Sequence, residues 1–268
     1  MKKTSYFFCF LLVLCWSDRN LSADAGSFAS TENANQHAAG SRNSTVLLSE
    51  NFDYGNVSGA LTSISEGVWN AHASAGVGEV QYITSSLTLP GYGASGVGGA
   101  AAINLGGAED VHASFANQTK GVVYYAALTR VNTATASGDY FLHLSNTGTG
   151  FRGRVFVRDN DGVLEYGLGG VGTYATKAFA FNTTYLVVVR YLIGSGDTDL
   201  YVLDAVPTIE PAAPLVSVEG TAELAVQRIA IRQGAANSRP AVVIDGIRVA
   251  NTWVDVIGDP IFSDRFAD

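Results

Sequence analysis

Ala241-Val242-Val243-Ile244-Asp245-Gly246-Ile247-Arg248-Val249-Ala250-Asn251-Thr252-Trp253 is the stretch that decides the fold. It is too short and too rich in β-branched residues for a buried helix, and it ends in turn residues, so it reads as a strand. Working backward from it, similar runs recur with turn residues between them. Val226 to Gln233 precedes it. Tyr185 to Ile193 is long and dominated by Leu and Val, and Asp199 to Asp204 is expected to pair with it across Gly194-Ser195-Gly196-Asp197. Phe151 to Arg158 and Val163 to Leu168 flank Asp159-Asn160-Asp161-Gly162, where Asp-Gly signals a hairpin because the turn demands positive φ. Tyr140 to Leu144 follows a Gly-Asp turn, and Val122 to Val131 alternates with Val122, Tyr124, Ala126 and Leu128 on one face. Val46 to Phe52 opens the series. Ala100-Ala101-Ala102 is too short and too glycine-flanked for a helix, and no other segment carries a helical apolar stripe. A dozen or so strands in one unit predict an all-β protein, a two-sheet antiparallel jelly-roll sandwich spanning residues 46–257.

The N-terminus carries an export signature. Lys2 and Lys3 precede an uncharged apolar stretch, Tyr6 to Trp16, that falls well short of the ~20 residues a spanning helix needs. Ala23-Asp24-Ala25 has the small-x-small form of a cleavage site, so residues 1–25 are expected to be a signal peptide. Leu14 before Cys15 argues against a lipoprotein signal. Residues 26–45, mostly Ser, Thr, Asn, Ala and Gly, read as a disordered leader, and 258–268 as a C-terminal tail. Cys9 and Cys15 both lie inside the signal, so the exported chain has no disulfide or thiolate site and folds on its apolar core alone. No later segment is apolar enough to enter a membrane, which predicts a secreted, periplasmic or cell-envelope protein. The net charge of −8 argues against a nucleic-acid partner, since phosphate binding needs concentrated Lys and Arg.

Several segments taken together resemble a recurring domain of unknown function in secreted bacterial proteins. They are Glu50-Asn51-Phe52-Asp53-Tyr54, Trp69-Asn70-Ala71-His72, Leu89-Pro90-Gly91-Tyr92, Gly138-Asp139-Tyr140-Phe141, Phe151 to Arg158, Asn182 to Leu186, Arg232-Gln233-Gly234 and Asp245 to Val249. The resemblance covers residues 46–255 and implies a laminin-G or concanavalin-A-like sandwich and export. It implies no activity, so it supplies no catalytic residues. The tail Ile261 to Phe266 is similar to short Phe-rich tails on some exported gammaproteobacterial proteins.

Related endoglucanases place Glu-x-Asp-x-x-Glu on one strand, where alternate carboxylates share a face about 5–5.5 Å apart. Nothing here matches: Glu109 and Asp110 are neighbours, and Glu79, Asp139 and Glu165 stand alone. A Gly-x-Ser-x-Gly elbow is absent. Gly91 to Gly96 fits Gly-x-Gly-x-x-Gly, but the glycines that follow preclude the helix a dinucleotide site needs. The four histidines, His37, His72, His112 and His143, show no metal-ligand spacing. Calcium is the metal the sequence suggests. Asp245 sits in an apolar strand with Val243, Ile247 and Val249 expected on its own face, so it either lies at an edge or finds a partner, which is Ca²⁺ held with Glu50 or Asp53, or Arg248 or backbone amides. Asp197 and Asp199 form a second metal candidate, and Asp159 to Gly162 is a turn rather than an EF-hand loop. For sugar stacking, Trp69, Tyr82, Tyr92, Tyr140 and Tyr174 are the available rings. Arg152, Arg154 and Arg158 are expected on one face with Phe156, a basic stripe suited to an anionic glycan or to nearby acids. The sequence therefore predicts an exported, non-catalytic module that binds glycan, with Trp69, Tyr92, Tyr140, Arg152 and Arg154 as ligand residues. A polysaccharide-active enzyme with a loop-built site, and a structural or adhesive envelope protein, are the alternatives.

Overall fold

The structure is a computed structural model and describes residues 45–104, 106–220 and 222–258. The expected signal peptide, all but Thr45 of the leader, and all but Gly258 of the tail lie outside the described residues.

In chain order the first elements are β1 (Val46–Glu50), β2 (Gly59–Ala60), α1 (Leu61–Ile64), β3 (Asn70–Ala73), β4 (Gln81–Ile83) and β5 (Ala100–Ile103). Longer strands follow: β6 (Asp110–Gln118), β7 (Val122–Thr133), β8 (Asp139–Ser145), β9 (Phe151–Asn160) and β10 (Val163–Leu168). The chain closes with β11 (Thr173–Tyr174), β12 (Thr184–Leu192), β13 (Thr198–Leu203), β14 (Val216–Val218), β15 (Val226–Ile231), β16 (Ala241–Ala250) and α2 (Trp253–Ile257). All named strand pairs are antiparallel. One sheet has nine strands in the order β14-β13-β12-β7-β16-β5-β4-β2, with β1 also on β16. The other has seven, in the order β11-β10-β9-β8-β15-β6-β3. The fold is a two-sheet β-sandwich, with more short strands than the sequence suggested; Ala100–Ile103, unfit for a helix, forms one of them. No helix among the described residues is long and apolar enough to cross a membrane.

Local chemistry explains the regular parts. Asp161 and Gly162 both take positive φ, 54° and 86°, and close the β9–β10 hairpin with Val163 opposite Asn160, as the Asp-Gly signal requires. The β12–β13 pair forms across the Gly194–Asp197 turn with Leu186 opposite Leu203. In α2 the Thr252 side chain accepts from the Asp255 amide, an N-cap that starts this short helix directly after β16.

The two sheets differ in how many faces they bury. Between them lies the main core, which includes Trp69, Val123, Tyr125, Val155, Val187, Val189, Ile229 and Ile244. A second apolar cluster covers the outer face of the nine-stranded sheet: Tyr124, Ala126, Leu128, Leu186, Val188 and Val243 pack under Leu87, Leu89 and Tyr92 of the β4–β5 connection and under Trp253 and Val256 of α2. Val187-Val188-Val189 is continuous rather than alternating because both of its faces are dry. Among the described residues no comparable apolar layer covers the outer face of the seven-stranded sheet, whose side chains are mostly polar, charged or aromatic. That asymmetry leaves this face as the broad surface where a ligand could lie.

Candidate functional site

Strand parity assigns the open face. In β15 the side chains of Ile229 and Ile231 enter the core, so Arg228, Ala230 and Arg232 point outward. Ala230 is flanked by His112 of β6 and His143 of β8, and Arg228 by Ser114 and Ser145. The face therefore carries a row of His112, Ala230 and His143, and beside it a row of Ser114, Arg228 and Ser145.

Two irregularities in the β8–β9 ladder shape the neighbouring patch. Tyr140 opposes Phe156 while Leu142 opposes Val155, so β8 spends an extra residue at Phe141. This extra step sends both Phe141 and Leu142 into the core and leaves Tyr140 and His143 together outside, with ring centroids 5.5 Å apart. Further along, Leu142 opposes Val155 while Leu144 opposes Arg152, so β9 spends an extra residue around Gly153. Gly153 has φ of 54°, and a Cβ there would stand 2.8 Å from Val189, which explains why only glycine fits the kink.

Tyr140, half-buried, is the centre of this patch. Its ring lies against Phe156 at 5.2 Å and receives the Arg232 guanidinium at 4.2 Å and that of Arg154 at 5.2 Å. Arg232 is also paired with Asp139 at 2.7 Å. Arg154 has no carboxylate within ion-pair distance among the described residues. Asp139 is bound by the Tyr140 and Ala235 amides and the Ser238 hydroxyl as well. Burial works against its charge, but these donors and Arg232 win and hold the carboxyl below its ordinary range. At the far edge Arg158 lies 4.2 Å over Tyr174 and bonds Glu165 at 2.7 Å, so its charge is spent within the sheet.

The opposite end of the face is a histidine cluster. His72 of β3 is exposed and faces His112 with Nδ1 atoms 3.4 Å apart. Burial, with Arg228 as second cause, pushes the pKa of His112 down to about 4. His72 is also lowered, by burial first and with Arg228 acting in the same direction. His143 is almost fully buried; its Nδ1 donates to the Leu144 carbonyl at 3.1 Å, and burial lowers its pKa to about 3. All three imidazoles are neutral near pH 7. Asp110, on the same strand as His112, accepts from the Gln233 amide, and burial raises its pKa.

The structure redistributes the sequence-selected residues. Trp69 is in the core, 1% exposed and stacked on Phe52 at 5.8 Å, so it presents no face to a ligand. Tyr92 is buried in the second cluster, with its hydroxyl on the Gly246 carbonyl, and Tyr82 is buried with its hydroxyl on Gly55. Tyr140 and Arg154 do come together on the open face. Arg152 does not join the stripe: the extra residue at Gly153 turns it to the same side as Leu144, where it donates to the Phe151 and Ala222 carbonyls. The open face thus holds Arg154, Phe156 and Arg158 but not Arg152.

Asp245 is fully buried, on a different surface from the one its parity implied. Between Asp245 and Arg248 the register with β7 shifts by one residue at Gly246, whose φ is 55°. Asp245 therefore shares the outer side with Val243, while Ile247 and Val249 face the main core. Its carboxylate accepts from the Leu87 and Gly246 amides at 2.7 and 2.5 Å, and from the Ser86 hydroxyl at 2.6 Å. Burial outweighs these donors and raises its pKa to about 6. Glu50 accepts from the Phe52 amide, the Tyr54 hydroxyl and the Trp69 indole N–H, and Asp53 is exposed. Asp199 is bound by Arg190 and Ser217, and Asp197 by Ser195 and the Gly220 amide. No group of three or more His, Cys, Asp or Glu side chains among the described residues is placed to hold a metal ion.

His72, His112 and Arg228 were not selected from the sequence as site residues. Parity along Val226 to Ile231 does put Arg228 opposite the core face, but its meeting with two histidines requires β6 and β3 to pair beside β15, which no local signal encodes.

No family model matches the chain, and no curated protein matches it. Among solved structures it is similar to the binding domain of Paraclostridial Mosquitocidal Protein 1 (10% identity, TM-score 0.47, covering 83% of this chain and 53% of that one). It is also similar to the botulinum neurotoxin serotype D/C binding domain (8% identity, TM-score 0.43, 82% and 52%). A third is the alginate lyase from Alteromonas sp. 272 (10% identity, TM-score 0.36, 70% and 96%). The chain spans about half the length of the two toxin domains it resembles.

Proposed function

We propose that the protein is an exported, non-catalytic β-sandwich module that binds glycan on the outer face of its seven-stranded sheet. One observation carries this reading. On the open sheet face, the half-buried ring of Tyr140 lies beside Arg154, a guanidinium with no carboxylate partner among the described residues. An aromatic face and a free planar donor fork suit a sugar ring and its oxygen substituents. The other cations of this patch, Arg158 and Arg232, are ion-paired and serve as its frame.

The test is a glycan and polysaccharide array probed with protein recovered after export, with and without EDTA. Binding to a defined glycan that is lost in Arg154→Gln supports the reading. Silence across the array under both conditions rejects it and leaves a structural envelope role ahead. Loss of binding in EDTA would support a structural calcium ion, with Asp245, Glu50 and Asp53 as its expected ligands.

A further inference from the structure

Arg228 lies about 13 Å from Arg232, which follows the end of β15 by one residue, at the rise of an extended strand. It has no carboxylate within ion-pair distance among the described residues. Its two cross-strand neighbours are serines, Ser114 and Ser145, neither of which spends its hydroxyl on another described group. Diagonal to it stands His112, backed by His72 at 3.4 Å. On a chain with net charge −8, an unpaired arginine among hydroxyls and imidazoles is a local positive field with open donors. We infer that Arg228, Ser114, Ser145, His72 and His112 form a subsite for the carboxylate or sulfate group of an acidic glycan. The inference rests on the glycan-binding reading and adds its substrate class. Such a ligand would reach from Arg228 to the Tyr140–Arg154 patch, farther than one sugar ring extends, so an oligosaccharide is the recognised unit.

The histidines make binding proton-linked. In the free protein burial and Arg228 disfavour the charge of His72 and His112, with Asp110 pulling the other way on His72. A bound anion offsets the Arg228 field and attracts the imidazolium form, which raises their pKa values and draws protons in, so affinity rises as pH falls. Among the described residues this face also carries Asp110, Asp139, Tyr140, His143, Arg154, Arg232 and, at its far edge, Arg158, Glu165 and Tyr174, with Arg158 and Glu165 paired to each other. Asp139 is ion-paired, His143 is buried and neutral, and the arginines do not titrate. Deprotonation of Asp110, whose pKa is raised, would weaken anion binding in the same direction, so the histidine contribution is isolated by substitution.

The experiment is isothermal titration of the full chain with four probes at pH 5.5 and 7.5. These are a galacturonate tetrasaccharide, a heparin tetrasaccharide, neutral cellotetraose and a single-stranded DNA oligomer. One or both acidic sugars should bind, and Arg228→Gln should weaken them by about tenfold or more, with Arg228→Lys intermediate. The two acidic arms separate a carboxylate from a sulfate preference. In the His72→Gln/His112→Gln variant the gain in affinity at pH 5.5 should shrink while the fold is unchanged by circular dichroism. Equal affinity for the neutral sugar, DNA binding as tight as the acidic sugars, or full affinity in Arg228→Gln would overturn the inference. Should no sugar bind, the glycan reading fails, and imidazole NMR under titration with inorganic sulfate judges the subsite separately. Shifts of His72 and His112 that vanish in Arg228→Gln keep the anion site, and unmoved resonances reject it.

Discussion

Asp245 and Ser86 are 159 positions apart in the chain, and the carboxylate of one accepts the hydroxyl of the other at 2.6 Å. This contact, with the Leu87 amide beside it, ties the β4–β5 connection to the outer face of the nine-stranded sheet and seals the second apolar cluster beneath. Removing the carboxylate in Asp245→Ala orphans buried donors, each of which costs about 1–3 kcal/mol, so a loss on the order of 3 kcal/mol is expected in urea unfolding.

The same carboxyl sets a pH dependence. Its folded pKa of about 6 lies above the ordinary Asp value, so the folded state holds its proton more tightly than the unfolded chain. Stability contributed by this group is present at low pH and declines as pH rises through the window up to about 6, by an amount on the order of 2–3 kcal/mol. Asp245→Asn should remove that slope. Subtracting its stability profile from that of the natural protein between pH 4 and 7 isolates the group, and two parallel profiles would refute the assignment.

Gly153→Ala probes the kink that separates Arg152 from Arg154. A methyl group there meets Val189 and must adopt positive φ, a combined cost of about 1–3 kcal/mol. If the variant folds, glycan affinity should fall as well, because Arg154 is carried by the same bulge. An unchanged unfolding midpoint would show that the strand tolerates the residue.

Trp69→Phe separates core from surface. The substitution removes an indole N–H from Glu50, a buried hydrogen bond to a charged group worth roughly 1.5–3 kcal/mol. The unfolding midpoint should drop while affinity for any glycan found on the array stays within about twofold, since the ring never reaches solvent. A selective loss of affinity at unchanged stability would return Trp69 to the binding residues.

Much of the sandwich was legible from local chemistry. The Asp161-Gly162 turn, the valine runs and the alternation of β7 are dictated by neighbours in sequence, and each appears where the residues demand it. The candidate site was legible only for Tyr140 and Arg154. Aromatic residue type cannot distinguish Trp69, a core ring stacked on Phe52, from Tyr140, a ring on an open face, because burial is a property of the sheet around each. Arg152 and the faces around Asp245 were misassigned for a shared reason: strict period-2 counting runs through Gly153 and Gly246, where one extra residue reverses the side on which everything beyond it points.

The amino-acid sequence by itself determined an all-β chain with a disulfide-free core, because strand period, turn chemistry and cysteine placement are local properties. Which face stays open, which rings reach it, and the meeting of His72, His112 and Arg228 were decided by the tertiary structure. Those facts depend on pairing β3, β6 and β15, brought together across more than a hundred residues, and on bulges whose positions follow from the fit of whole strands rather than from any one residue.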